Sequence, residues 1–374
     1  MKRPTWEPTS LYPERGKNKT DMKKAPFLLL ITGWALGLAA PGAFCQQKTE
    51  SFNPESARAM RIIFYNLENA YDTIDDPFAG DDEFTPQGPR SWTPYRYRQK
   101  LKNTYKVLLA AGGWSPPDII GVCETENRRV LEDLTRRTPL SKYPYRIIHQ
   151  DSPDPRGIDV AVLYNNQAFR PILHRFVHVC FDGHKGCTRD ILYLKGRASS
   201  GDTLHLFFNH WPSKWQGERT TQPKRNQAAR ILRGLIDSIQ HQHREPRIMI
   251  LGDFNDPPEA ESLSQHLKTK APSPPIRPGN LYNLSLKWLP GPTGTQKYRA
   301  AWEILDQVIV SGSLLSGRGL YTTEKDAQIF RPPFLLEEDN RYTGSKPFRT
   351  YSGYRYIGGF SDHLPVIVDL KKDG

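Results

Sequence analysis

Short apolar runs that stop abruptly at a polar residue recur along this chain. In 248–256 (IMILGDFND), Ile248, Met249, Ile250 and Leu251 read as a buried strand closed by Gly252 and followed by Asp253 and Asn255. Two apart in extended backbone, those two polar side chains project to the same side. Runs at 60–66 (MRIIFYN) and 118–123 (DIIGVC) predict two further buried strands, ending at Asn66 and Glu124. Between 145–149, 158–164, 169–179, 190–195 and 203–209 strand patterns follow one another without an intervening helix, which argues for antiparallel pairing. Spacings of three and four put Leu101, Tyr105, Leu108 and Ala111 on one face of a helix over 95–112, which Gly112 and Gly113 stop. Ala228, Leu232, Leu235, Ile236 and Ile239 do the same for 222–240. Strands are expected again at 302–310 and 364–370, and surface loops at 75–94, 272–292 and 328–359. Strand runs in both halves, with helices among them, predict an α+β protein of two packed sheets covered by helices.

Length changes this picture little, because 374 residues with strand signals nearly throughout suit one large domain, placed at 60–371 after a linker at 46–59. The N-terminus is different. Lys23 and Lys24 precede an apolar run over 26–40 that is short for a membrane span, and Pro41, Gly42 and Ala43 break it. Residues 1–45 therefore read as a leader with a secretory signal, starting at Met22 and cleaved after Cys45, which implies export to a periplasm or the extracellular space. An acylated Cys45 is the less favoured alternative, because the bulky Phe44 precedes it. The mature chain then has no membrane span. Its net charge falls from +12 to +8, since residues 1–45 hold seven Lys/Arg and three Asp/Glu. An excess of that sign suits a phosphate-bearing substrate, nucleic acid included, as well as plain solubility.

Three cysteines remain. Cys180 and Cys187 enclose a turn-like tip and are expected to pair, with a zinc site through His184 as the minor alternative; Cys123 reads as a small buried hydrophobe.

The chemistry is concentrated at the strand ends: Asn66, Glu124, Asp159, His210, Asp253 with Asn255, Asp306, and Asp362 with His363. Hard oxygen ligands with imidazoles are the site type that takes Mg²⁺ or Mn²⁺ and works on phosphoesters. YNLEN (65–69), IIGVCE (119–124), NHWPS (209–213), LGDFND (251–256), ILDQVIVS (304–311) and FSDHLPV (360–366) resemble, in order, the motifs of the endonuclease/exonuclease/phosphatase superfamily. The resemblance spans about residues 60–370 and implies a four-layer α/β/β/α sandwich of two mixed, largely antiparallel sheets flanked by helices. It also implies a divalent-metal-dependent hydrolase of phosphoester, foremost phosphodiester, bonds. By the same resemblance Glu124, Asp362 and Asn66 serve the metal, and Asp253 positions or deprotonates the attacking water beside Asn255. His363, oriented by Asp306, contacts the scissile phosphate, and His210 is a second catalytic histidine with Asp159 as its orienting acid.

Arg156, Arg219 and Arg225 are candidate contacts to substrate phosphate, or simply a solvated basic face. Trp215, Tyr298, Trp302, Tyr351 and Tyr354 are candidates for stacking a base or sugar, or for pinning loops, and 330–336 (FRPPFLL) for touching lipid. A phosphatase or phospholipid phosphodiesterase is the alternative to a nuclease; a non-catalytic phosphate-binding protein is the remote one. No stable protein partner is expected.

Overall fold

The computed structural model describes residues 58–373, except 114, 182–185 and 290. The expected leader, its cleavage site and His184 lie outside the described residues. Strand β1 (Arg58–Ala70) leads through helix α1 (Pro94–Gly112) to β2 (Ile119–Thr125), and α2 (Arg128–Arg136) leads to β3 (Tyr145–Ile148) and β4 (Asp159–Asn165). The chain then enters a second sheet through β5 (Phe169–Cys180), β6 (Cys187–Ala198) and β7 (Thr203–His210), and α3 (Glu218–Gln242) carries it to β8 (Arg247–Asp253). Short β9 (Thr269–Lys270) and β10 (Leu281–Asn283), the β11 (Gln296–Tyr298) and β12 (Ala301–Glu303) hairpin, and β13 (Asp306–Ser311) follow. Then come β14 (Leu320–Tyr321), β15 (Ala327–Ile329), the hairpins β16 (Leu336–Glu338) with β17 (Ser345–Pro347) and β18 (Tyr351–Ser352) with β19 (Arg355–Tyr356), and finally β20 (Val366–Lys372).

One sheet runs β14-β20-β1-β2-β4-β3 with β15 also on β20; the other runs β5-β6-β7-β8-β13-β10-β9. Most neighbours are antiparallel as expected. The two long parallel pairings occur where a helix intervenes, β1 with β2 across α1 and β7 with β8 across α3, because a parallel partner needs a crossover; the short β9 and β10 also pair in parallel, joined by a loop.

Alternation along the strands builds the layers. Met249 and Leu251 of β8 face the other sheet, joining Ile62, Phe64, Val160, Val162, Phe208 and Val308 in the inter-sheet core. Ile248 and Ile250 point the opposite way and pack under Ala228, Leu232 and Ile236 of α3. On the far side, Leu101, Leu108, Leu131 and Leu134 of α1 and α2 cover Tyr65, Ile120 and Val122. The expected four-layer sandwich is the observed one. Gly121 is required there, because a Cβ at that position would sit 2.2 Å from the Phe208 ring of the opposing sheet.

Local signals explain the helix ends. Thr93 caps α1 through its side chain to the Arg96 N–H, with Pro94 in the first turn, and Gly113 ends it at φ 74°. The expected strand at 302–310 is instead two strands in different sheets. Thr295 breaks it, its hydroxyl accepting from the N–H groups of both Leu305 and Asp306. The expected loops are mostly loops, but 272–292 contributes β10 to a sheet and 328–359 folds into short hairpins. Helix α2 goes beyond the expected elements, although Val130, Leu131 and Leu134 share its buried face; Asn127 caps it at the Val130 N–H. Cys180 and Cys187 face each other across β5 and β6 and form a disulfide, and Cys123 is free and buried. Among the described residues no helix is long and apolar enough to cross a membrane.

Candidate active site

His210, Asp253 and Asp306 form a row across three adjacent strands, since His210 pairs with Asp253 in the β7–β8 ladder and Asp253 with Asp306 in the β8–β13 ladder. Gly252 permits the close approach of β7 and β8, because a Cβ there would lie 2.5 Å from the Asn209 carbonyl oxygen. The facing sheet supplies the opposite wall. Between Asn66 and Ala70 of β1, and between Cys123 and Thr125 of β2, the register slips. A bulge of this kind re-aims side chains at a sheet edge. Glu68, Asn69, Glu124 and, across the cleft, Asn255 all have φ between 50° and 57°, a conformation that costs non-glycine residues about 1 kcal/mol or more and gathers at functional sites.

Asp253 is the centre. Its Oδ1 accepts the Asn255 N–H at 3.0 Å, and its Oδ2 accepts from the Asn66 amide at 3.1 Å. Two imidazoles flank that Oδ2, His363 Nε2 at 3.8 Å and His210 Nε2 at 3.7 Å. Burial pushes the Asp253 carboxyl well up from the usual carboxylate range; the neighbouring His363 opposes this, and Asp306 adds to it. His363 responds in the opposite sense. Burial alone would lower it, but Asp306, with Oδ2 at 2.7 Å from its Nδ1, and Asp253 hold it well above the ordinary imidazole value. The His210 ring is held well below that value by burial and by the charges of Arg189 and Arg156.

Asn66 presents its amide nitrogen to Asp253 and to Glu124 Oε1 at 3.2 Å, while its oxygen accepts the Glu68 N–H. It therefore holds the two acids together. Glu124 Oε2 accepts the Asn69 N–H at 2.9 Å. Asp362 lies at the rim in an ion pair with Arg349, Nη2 to Oδ2 at 2.8 Å. Asn255 donates its side-chain amide to the Trp211 carbonyl.

Two expectations fail on geometry. Asp159 does not reach His210: its oxygens are taken by His149 at 2.8 Å and by the Ser152 N–H at 2.7 Å. The group behind His210 is Arg189, whose Nε lies 3.3 Å from Nδ1, while its other nitrogens bind Asp154 and the Trp211 carbonyl. Arg225 cannot meet substrate, because it is wholly buried against Asp256 at 2.8 Å, a charge pairing whose angle falls outside that of a hydrogen bond. Its charge offsets that of the carboxylate and ties α3 to the turn after β8. Arg156, by contrast, is exposed and held near the cleft by Asp154. Of the aromatics, Trp215, Tyr298 and Tyr354 are exposed, whereas Tyr351 is packed in the core. In 330–336 only Phe334 is a large exposed hydrophobe, and its ring lies against Phe330 and Phe360.

Sequence reasoning missed Arg189, Arg349 and Glu68. Arg189 sits in an alternating strand with nothing to mark its inward side chain as special. Glu68, inside the YNLEN motif, was the most findable.

The donor set suits a hard divalent cation. Ligand atoms of Asp253, Asp306 and His363 lie within 4.8 Å of one another, and Asp306 Oδ1 is a buried oxygen without a hydrogen-bond partner. The rival cluster, His149 with Asp151 and Asp159, has no such unpartnered buried oxygen, since both Asp159 oxygens are engaged and Asp151 is exposed.

A comparison with curated proteins finds no match. Among solved structures, an endonuclease/exonuclease/phosphatase family protein of Bacteroides thetaiotaomicron is 14% identical with a TM-score of 0.51, covering 84% of this chain and 95% of its own. A mannosyl-6-phosphatase of Bacteroides thetaiotaomicron VPI-5482 is 15% identical, also at 0.51, over 83% of this chain and 99% of its own. A D. rerio TDP2 humanised by 14 mutations is 12% identical at 0.51, over 83% and 98%. At such identities the likeness bears on the fold alone. The family model described as "Endonuclease/Exonuclease/phosphatase family" matches residues 61–372, and with the sandwich and its strand-end cleft this places the chain in that family of phosphoesterases.

Proposed function

We propose that this protein is an exported, divalent-metal-dependent hydrolase that cleaves a phosphoester, foremost a phosphodiester, by in-line attack of water. The observation that carries the reading is the single oxygen, Asp253 Oδ2, flanked by His363 and His210 and linked to Glu124 through the Asn66 amide. Asp253, whose carboxyl favours its proton, is suited to take one from the attacking water at Oδ2. His363, kept charged by Asp306, donates from Nε2 to a non-bridging phosphoryl oxygen. His210 is neutral, its Nδ1 faces the Arg189 Nε–H, and so its proton lies on Nε2, a second donor on the other side. Glu124 and Asp306, whose Oδ1 is unpartnered, would hold Mg²⁺ or Mn²⁺, which when bound polarises the phosphoryl group and offsets its growing charge. Export is supported by the apolar leader and by the Cys180–Cys187 disulfide, a bond favoured in oxidising compartments.

The test is hydrolysis of bis-p-nitrophenyl phosphate by the purified protein. Activity should vanish with EDTA and return with Mg²⁺ or Mn²⁺, and Asp253→Ala should lower kcat by ~10³-fold or more. Unchanged hydrolysis in that variant would reject the site. The same preparation assayed on p-nitrophenyl phosphate, plasmid DNA, RNA and phospholipid separates diesterase from monoesterase and ranks substrates.

A further inference from the structure

Beside the cleft, on the Glu68 side, lies a cavity of about 150 Å³ walled by Glu68, Asn69, Arg90, Arg349 and Tyr351. It adjoins the reacting centre: the Asn69 N–H holds Glu124, and Arg349 grips Asp362 with Nη2 and Glu68 with Nε at 3.1 Å. Arg90 is fixed from three sides, its guanidinium 4.9 Å from the Phe84 ring centroid, 5.3 Å from Tyr351 and 5.1 Å from Tyr354. Glu83 and the Gly353 carbonyl take one N–H each from it.

A guanidinium carries five N–H donors, and both Arg90 and Arg349 use two of theirs on those partners. Each oxygen of the carboxylate in the wall already has a partner, Glu68 Oε1 in Arg349 and Oε2 in the Thr350 N–H. The cavity thus offers surplus donors on two pre-positioned forks and no free carboxylate oxygen. Such forks match phosphate geometry. With a water's share of liquid near 30 Å³, the volume holds about five waters, or one phosphate with some of its hydration.

Resting on the hydrolase reading, we propose that this cavity is a subsite for a second phosphate of the same substrate, next to the one being cleaved. Its source is either the neighbouring nucleotide of a polynucleotide or a second position on a phosphorylated sugar. Two substrate pairs distinguish these: thymidine 3′-phosphate 5′-(p-nitrophenyl phosphate) against thymidine 5′-(p-nitrophenyl phosphate), and glucose 1,6-bisphosphate against glucose 6-phosphate. In the pair that matches the source, the second phosphate should raise kcat/KM at least tenfold. Arg90→Gln should bring that ratio close to one, and Arg90→Lys, which keeps charge but not the fork, should leave it between. The ratio is internal to each preparation, so poor folding does not mimic the effect. Separately, isothermal titration of the EDTA-treated protein with pyrophosphate should show binding weakened at least fivefold by Arg90→Gln. Equal kcat/KM within both pairs, or pyrophosphate affinity indifferent to Arg90, overturns the subsite. If no ester is hydrolysed while pyrophosphate binds through Arg90, the hydrolase reading fails and the anion pocket stands.

Discussion

The two sides of the cleft place the same side chain at nearly the same distance from Asp253, yet arm it oppositely. On one side His363 has a carboxylate behind it, Asp306 at 2.7 Å from Nδ1; on the other His210 has a guanidinium, Arg189 at 3.3 Å from Nδ1. An acceptor at Nδ1 favours the doubly protonated, charged ring, whereas a donor at Nδ1 forbids a proton there and leaves a neutral ring protonated at Nε2. Distance to the reacting oxygen therefore says little about charge. The buried group behind the ring decides it.

Removing the acceptor tests the stronger side. Asp306→Asn keeps the shape but cancels the charge that sustains His363, and kcat on bis-p-nitrophenyl phosphate should fall about 10²–10⁴-fold. A loss under fivefold would mean that His363 works without its carboxylate. The opposite side should be milder. Replacing Arg189 by Met alone would strand the buried Asp154 carboxylate, so the pair Arg189→Met with Asp154→Asn is the cleaner probe. It should lower kcat about tenfold, the worth of one positioned hydrogen bond of ~1.4 kcal/mol, and move the acid limb of the pH–rate profile upward as His210 regains basicity. An unmoved profile would leave Arg189 with a purely structural role.

A third buried imidazole serves as a control without a carboxylate behind it. His205 receives only the Tyr193 hydroxyl at 2.8 Å, and burial, then Lys195 and His243, press its pKa down to about 4. Between pH 6.5 and 4 the unfolded chain takes up a proton at this ring and the folded chain does not, so stability is present above that window and lost as pH falls through it. His205→Phe should reduce the drop in unfolding free energy between pH 7 and pH 4 by on the order of 2–3 kcal/mol, read from urea titrations. Parallel drops in both proteins would show that His205 does not titrate as described.

The motifs LGDFND, ILDQVIVS and FSDHLPV marked Asp253, Asn255, Asp306 and His363 as neighbours, which they are, because each sits where an apolar run ends or begins and strand ends share an edge. The same reasoning failed for Arg225 and Asp159. Both look like available polar groups in the sequence, yet one is sealed against Asp256 and the other is taken by His149.

By itself the sequence determined that β8 is buried on both faces, with Ile250 and Leu251 on opposite sides, and that the polar residue after the run lands at the rim. Only the tertiary structure decided which charge stands behind which. Arg349 reaches Glu68 across 281 positions and Arg189 reaches His210 across 21. Periodicity reports the face a side chain takes, but a buried charge acquires its protonation and its task from the partner that distant backbone brings within about 3 Å of it.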